Sequence, residues 1–255
     1  MRSPCDLGGR GVLVTRPAAQ AAGLCRLIEA ANGRALAVPS IEIVPTANPR
    51  RAAALLAETW DFMFFVSRNA VEQANALVAD GTWQQAHQVV AVGRATAQAL
   101  SRSGRAPDLV PDQRFDSESL LRMPELADLW GSRILIVRGE GGRTLLGDTL
   151  RARGARVTYA EVYSRLRPDF DPAPLLAQWA QSVAMVTATS EEVLLNLLEM
   201  LGPQGRSRLL ATPLVVVADR TAVTARELGF ARVQVAERAE DAAVVQALCA
   251  LSSQG

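Results

Sequence analysis

The sequence predicts an α/β protein of two lobes, each built around a doubly wound parallel sheet. Short apolar runs recur along the chain, and most of them lead through a small or polar turn into a helix-like stretch, which is the alternation of βαβ units. The second half of the chain also repeats the order of motifs in the first half. The length of 255 residues is sufficient for two modest cores.

Six apolar runs are predicted to be buried strands. Their continuous apolarity, without alternation, indicates a parallel sheet that is covered on both faces. The runs span residues 11–15, 62–66, 89–92, 134–137, 183–186 and 214–217. Helices are predicted over 18–31 and 144–153, directly after the first and fourth strands.

Three pairs of segments carry the internal repeat. Residues 12–16 match 134–138, residues 65–71 match 188–193, and residues 92–97 match 217–222. In the second pair we align Ser67 with Thr189. The repeat predicts that equivalent turns of both lobes contribute to one function.

Two further segments, 38–45 and 157–165, are rich in β-branched or aromatic residues and end close to Pro45 and Pro168. Their partial alternation predicts linkers that pair as a two-stranded ribbon. Spacing alone leaves open whether the lobes follow one another or one is inserted in the other.

Composition excludes several classes of function. The net charge of +1 gives no global field for nucleic acid. Three widely spaced cysteines without a Cys-x-x-Cys pair predict neither a disulfide framework nor a zinc site. The single histidine, His87, is interpreted as a loop residue and excludes multi-histidine metal sites. No apolar run is long enough for a bilayer and no signal peptide is evident, so we expect a cytoplasmic protein without metal or cofactor.

The turns after the strands carry the candidate chemistry, because ligands of open parallel sheets bind beyond the carboxyl ends of the strands. Arginines recur there, opposed mainly by Glu140 and Asp219, and indicate an anionic ligand. These arginines are Arg16, Arg68, Arg94, Arg138, Arg143 and Arg220.

Four hydroxyl residues stand at predicted helix starts, namely Ser67, Thr96, Thr189 and Thr221. They suit a carboxylate or phosphate ligand, but each is equally explained as a helix cap that needs no ligand. The glycine-rich turn RGEGGR at 138–143 exposes backbone amides. It matches neither a Walker loop nor a Gly-x-Gly-x-x-Gly dinucleotide motif.

The motifs at 12–17, 66–71, 92–97, 138–143 and 162–163 together resemble uroporphyrinogen-III synthase, in particular its bacterial single-function members. The resemblance implies a discontinuous lobe of residues 1–37 and 169–255, an inserted lobe of 49–156, and a two-stranded antiparallel β-ribbon of 38–48 and 157–168. It implies a cofactor-independent hydro-lyase, active as a cytoplasmic monomer that contacts hydroxymethylbilane synthase transiently. The substrate would be hydroxymethylbilane, a linear tetrapyrrole with eight carboxylates held between the lobes. Loss of water and inversion of ring D would give uroporphyrinogen III for heme, siroheme and cobalamin.

The resemblance also implies roles for individual residues. Tyr163 matches the family's linker tyrosine, placed near the leaving hydroxyl as an acid or hydrogen-bond donor. The substrate-binding residues would be Thr15, Arg16, Ser67, Thr96, Arg138, Gly139, Gly141, Gly142, Arg143, Thr189, Ser190 and Thr221. Residues 218–220 and the acidic pair 191–192 depart from the family pattern. Two other classes stay open, a non-enzymatic two-lobed module for an anionic small molecule and a two-lobed glycosyltransferase.

Overall fold

The computed structural model describes residues 5–78, 86–111, 117–142 and 144–253. It divides into two compact units, the first formed by residues 1–42 and 166–255 and the second by residues 43–165. Each unit has its own five-stranded sheet with helices around it, so the predicted α/β class with two sheets is confirmed.

The strands are β1 (Gly11–Val14), β2 (Arg34–Ala37), β3 (Glu42–Pro45), β4 (Phe62–Phe65), β5 (Gln88–Ala91), β6 (Arg133–Gly139), β7 (Arg156–Leu166), β8 (Met185–Ala188), β9 (Leu214–Val216) and β10 (Val233–Val235). The helices are α1 (Ala18–Ala30), α2 (Pro49–Ala57), α3 (Arg68–Leu77), α4 (Arg94–Arg102), α5 (Ser117–Leu120), α6 (Leu145–Ala152), α7 (Ala173–Ala177), α8 (Trp179–Ser182), α9 (Glu191–Ala211), α10 (Asp219–Glu227) and α11 (Asp241–Ser252). In the part of the chain that the structure describes, no helix is both long and apolar enough to cross a membrane.

The sheet of the first unit has the order β10-β9-β8-β1-β2, and every neighbouring pair in it is parallel. The predicted strands at 11–15, 183–186 and 214–217 are β1, β8 and β9, which occupy its centre. The two edge strands, β2 and β10, were not predicted. Both are short and only partly buried, so their sequences lack the apolar run by which a central strand is recognised.

The sheet of the second unit has the order β3-β7-β6-β4-β5, and its strands β4 and β6 are buried on both faces. Along β4, Phe64 belongs to one apolar cluster, whereas Met63 and Phe65 belong to the cluster on the opposite face. Ile134 and Ile136 of β6 belong to the same cluster as Phe64. The inference that continuous apolar runs are covered on both sides is therefore confirmed for this sheet.

The segments interpreted as linkers, 38–48 and 157–168, supply β3 and β7, which are neighbours in the second sheet. The strand β7 is more than a ribbon, because it also pairs in parallel with β6 from Arg133 opposite Arg156 to Gly139 opposite Tyr163. The register shifts between Arg138 and Gly139. As a result Tyr163 lies beside the last residue of β6, at the carboxyl edge of this sheet.

The prediction that the cysteines form no disulfide was wrong, because Cys5 and Cys249 are bonded to each other. Their sequence separation of 244 residues gave no local pattern to recognise. Folding brings them together: Cys5 and Cys249 both pack against the core of the first unit, and their Cα atoms lie 5.6 Å apart, within the range that a disulfide spans. Cys25 remains a free thiol.

We expect protein purified without reductant to show one reactive thiol per chain after unfolding in denaturant, and three after reduction. The single thiol is Cys25, since the other two cysteines are joined. The variant Cys25→Ser should show none before reduction and two afterwards. Three reactive thiols in the unreduced protein would contradict the disulfide.

Candidate functional site

The carboxyl edge of the second sheet gathers most of the residues that the sequence singled out in this unit. Ser67 follows β4, Thr96 lies in the first turn of α4 after β5, and residues 138–142 end β6 and begin the next turn. Parallel strands end at one edge of a sheet, so these groups converge there with Tyr163 of β7. Arg143 lies outside the described residues.

The hydroxyl of Tyr163 lies 3.2 Å from the hydroxyl of Ser67. Tyr163 is 2% exposed and packs in the same apolar cluster as Val137 and Val162. The guanidinium of Arg165 lies over its ring, 5.9 Å from the centroid. Tyr163 is therefore held inside the second unit and not on its surface.

Gly139 is the residue against which the ring of Tyr163 lies. A Cβ atom on Gly139 would stand 2.6 Å from both Cε2 and Cζ of the ring, closer than real side chains approach. The backbone on either side holds the two residues in register, since Glu140 N–H donates to the carbonyl of Tyr163 at 2.7 Å. Glycine is required here by this close contact.

The guanidinium of Arg138 is buried inside the second unit. Its Nε donates to the carbonyl of Gly139 at 3.1 Å, and its Cζ lies 5.0 Å from the ring centroid of Tyr159. Only 8% of Arg138 is exposed. A guanidinium held in this way contributes positive potential to the turn and is less suited to bind a ligand carboxylate with two parallel hydrogen bonds.

The rest of the glycine-rich turn is also held in place by hydrogen bonds. The carboxylate of Glu140 accepts from the hydroxyl of Thr46 at 2.9 Å and from Ala47 N–H at 3.1 Å, which join the turn to the residues after β3. The Ala47 amide, followed by hydroxyl donors, lowers the pKa of Glu140 below the ordinary value of a glutamate. The amide of Gly141 makes a long contact of 3.4 Å with Glu161.

In the first unit, Thr15 and Arg16 follow β1. Thr15 is fully buried, and its hydroxyl donates to the carbonyl of Thr187 at 2.5 Å, so it joins β1 to β8. Arg16 Nη1 pairs with Asp241 at 2.6 Å. A Cβ on Gly23 would reach within 2.7 Å of the same carboxylate, so α1 approaches this ion pair closely.

Ser190 is the N-cap of α9, the helix after β8, which corrects the alignment of the repeat. Ser190 caps α9 by accepting from Val193 N–H at 3.2 Å, as Ser67 caps α3 by accepting from Ala70 N–H at 3.1 Å. Their backbone angles agree, with φ −158° at both. Ser67 therefore corresponds to Ser190, and the pairing of Ser67 with Thr189 was wrong by one residue. Thr189 is half-buried in the turn before the cap.

Thr96 and Thr221 are equivalent residues that do not cap their helices. Each is the third residue of a helix whose N-cap, Gly93 or Ala218, has no side-chain hydrogen bond. Thr96 is 3% exposed and Thr221 is 1% exposed. The hydroxyl of Thr221 is buried and has no hydrogen-bond partner among the described residues. A hydroxyl without a partner at a helix start is better suited to bind an anion than a hydroxyl that is already hydrogen-bonded.

Sequence reasoning missed two residues beside the site. Asp241, which pairs with Arg16, lies 225 residues away along the chain and belongs to no motif. Tyr159 and Tyr163 are the two tyrosines of the chain, and both lie on β7. That coincidence was visible in the sequence, but the ring of Tyr159 packs between Arg138 and Arg151, contacts that only the fold creates.

Among the described residues, no three histidine, cysteine, aspartate or glutamate side chains are grouped to hold a metal ion. The polar groups of both carboxyl edges include hydroxyls, guanidinium groups and helix-start amides, and the carboxylates of Glu140 and Asp241 are held by the contacts described above. This chemistry suits oxygen anions such as carboxylates, and it offers one phenol as a proton donor.

A family model described as uroporphyrinogen-III synthase HemD matches residues 23–246. The chain is 38% identical over 244 residues to uroporphyrinogen-III synthase of Escherichia coli K12, a match that covers 93% of this chain and 99% of the relative. The corresponding Salmonella typhimurium enzyme is 39% identical over 246 residues, with 93% and 99% covered.

Solved structures share the fold. A mutant uroporphyrinogen III synthase from the extremely thermophilic bacterium Thermus thermophilus superposes with a TM-score of 0.61 at 20% identity and covers 96% of this chain and 99% of its own. The synthase from Helicobacter pylori 26695 gives a TM-score of 0.59 at 15% identity, with 95% and 99% covered. At these identities the structures bear on the fold alone.

Proposed function

The chain belongs to the uroporphyrinogen-III synthase family, lyases of tetrapyrrole biosynthesis, and from this premise we propose which of its residues bind and convert hydroxymethylbilane. The reaction expels the terminal hydroxyl as water, inverts ring D and closes the macrocycle. Electrons of the pyrrole system push the hydroxyl out, so the enzyme contributes mainly orientation and a proton.

Carboxylate groups of the substrate are bound by hydroxyls and amides at the carboxyl edge of each sheet. Thr221 is the strongest candidate in the first unit, because its hydroxyl is buried without a partner among the described residues at the start of α10. Thr96 occupies the equivalent place on α4 in the second unit. The amides that begin α9 after Ser190 offer further donors.

The arginines act partly through their field. Arg138 is buried and bonded within its own turn, and Arg16 is paired with Asp241. Arg138 keeps a positive charge at the end of β6, where it favours carboxylates over neutral groups. The charge of Arg16 is largely balanced by Asp241. The amides of 139–142 and the side chain of Arg143 complete the proposed set, as the family resemblance implies. Thr15 supports this set by joining β1 to β8.

Tyr163 is the proposed source of the proton that the leaving hydroxyl requires. Its contact with Ser67 at the carboxyl edge is the single observation that supports this role. We also propose that the protein is a cytoplasmic monomer. We propose further that it receives its substrate from hydroxymethylbilane synthase, because hydroxymethylbilane closes by itself to the type I isomer unless it is transferred rapidly.

The product isomer tests the proposed reaction. Purified protein given freshly made hydroxymethylbilane should yield the type III isomer, separated by chromatography after oxidation to the porphyrin. Heat-denatured protein serves as the control and should give type I, the product of unassisted closure. Type I alone from the native protein would reject the enzymatic reaction and favour a binding module.

A further inference from the structure

We propose that Ser67 is a further catalytic residue, which passes the proton of Tyr163 to the leaving hydroxyl. This inference rests on the proposed role of Tyr163 as the acid. It adds that the phenol acts through the serine, a residue that the sequence suggested only as a carboxylate ligand or a helix cap.

The two side chains of this pair differ in exposure. Tyr163 is 2% exposed, whereas Ser67 is half-buried. An acid must come within hydrogen-bond distance of the atom it protonates. Of the two hydroxyls, that of Ser67 is therefore the one better placed to meet a substrate.

The hydrogen bonds of Ser67 are compatible with transfer from Tyr163 toward a substrate. Its Oγ accepts from Ala70 N–H at 3.1 Å and lies 3.2 Å from the hydroxyl of Tyr163. A serine hydroxyl accepts two hydrogen bonds and donates one. If Tyr163 donates to Ser67, both acceptor sites are filled and the serine hydrogen is free to point at the substrate. The opposite direction would leave the free hydrogen on the buried phenol.

The helix and the neighbouring cation favour the charge that develops. As N-cap of α3, a helix of ten residues, Ser67 stands at the positive end of the helix dipole. Arg165 over the ring of Tyr163 favours the phenolate that remains after transfer. Gly139 lets the ring lie close enough to its backbone to aim the phenol at Ser67.

The proton balance closes over one turnover. The bond from carbon to the terminal oxygen breaks with its electron pair on oxygen, which takes the Ser67 proton and leaves as water. Ser67 takes the proton of Tyr163 at the same time. When the unsubstituted carbon of ring D forms the last bond of the macrocycle, it loses its hydrogen to restore the pyrrole, and that proton returns to the phenolate through the same serine.

A double-mutant cycle tests the relay by steady-state kinetics on hydroxymethylbilane with type III product as the readout. Tyr163→Phe and Ser67→Ala should each lower kcat by roughly 100-fold with little change in KM. The double variant should be no slower than either single variant, within about threefold, because both substitutions interrupt one path. Ser67→Thr, which keeps a hydroxyl, should restore most of the rate.

Ser190→Ala is the matched control for loss of a cap, since Ser190 caps α9 with the same geometry on a helix of the first unit, whereas Tyr163 belongs to the second. Its effect on the rate should multiply with that of Tyr163→Phe, and its thermal unfolding should shift as that of Ser67→Ala does. A Ser67→Ala effect that multiplies with Tyr163→Phe, or that appears in KM, overturns the relay and leaves Tyr163 as a direct acid. A Tyr163→Phe variant with normal kcat instead removes the acid role itself.

Discussion

Tyr163→Phe is expected to lower kcat by roughly 100-fold or more, the range that removal of a general acid produces. The substitution takes away the hydroxyl that contacts Ser67 and keeps the ring that packs in the core. Binding of the carboxylates does not depend on this hydroxyl, so KM should stay within roughly threefold of wild type. Steady-state rates of type III formation provide the measurement.

Tyr159→Phe is the matched control, because Tyr159 is on the same strand and its buried hydroxyl has no hydrogen-bond partner among the described residues. The phenylalanine keeps the ring on which Arg138 stacks. Its rate should equal that of wild type, and its stability should be unchanged or slightly higher, since a buried unpaired hydroxyl is costly. Equal rates for Tyr163→Phe and wild type would dismiss the phenol from the reaction.

Much of the fold was predictable because the central strands bury both faces and therefore stand out as apolar runs. The predicted strand at 62–66 is β4, and the helix predicted at 18–31 is α1. The direction of the parallel strands then decides which turns lie at one edge, so Ser67 and Thr96 could be predicted to lie at the same edge of the sheet. Edge strands such as β2 were not predicted, because a partly buried strand lacks a continuous apolar run.

The remaining features depend on contacts between residues that are distant in the chain. No sequence pattern near Arg16 indicates that it pairs with Asp241, and none near Cys5 indicates that it forms a disulfide with Cys249. The sequence suggested hydroxyls that either cap or bind, and the structure separates them. Ser67 accepts the hydrogen bond of a cap, whereas Thr221 does not cap its helix and has no hydroxyl partner among the described residues.

The glycine-rich turn shows how one residue type serves different purposes. Gly141 and Gly142 have φ of +69° and +92°, so their backbone favours glycine, as the sequence suggested. Gly139 has no such angle and is required because the ring of Tyr163 lies against it. A sequence motif shows that glycine is present. Only the packed structure shows whether glycine is needed for its backbone angles or because a neighbouring side chain leaves no room for a Cβ atom.

Gly139→Ala is therefore expected to reduce kcat at least as much as Tyr163→Phe. The added methyl would overlap ring atoms Cε2 and Cζ at 2.6 Å and lie 3.1 Å from the hydroxyl, so it displaces the phenol from Ser67. The ring has little room to yield, because it is packed in the core of the second unit. Overpacking of this kind also costs about 1–3 kcal/mol of stability.

Kinetics and thermal unfolding measured on the same samples separate the two effects of Gly139→Ala. Gly131→Ala is the control, since Gly131 has φ +76° with open space around it and lies at the other end of β6. It should lose about 1 kcal/mol from its backbone conformation and keep the wild-type rate. Adding Tyr163→Phe to Gly139→Ala should slow the enzyme little further, because the phenol is already misplaced. A Gly139→Ala enzyme with normal kcat would show that the ring can move without loss of its function, and the position of Tyr163 against this backbone would then have no part in proton transfer.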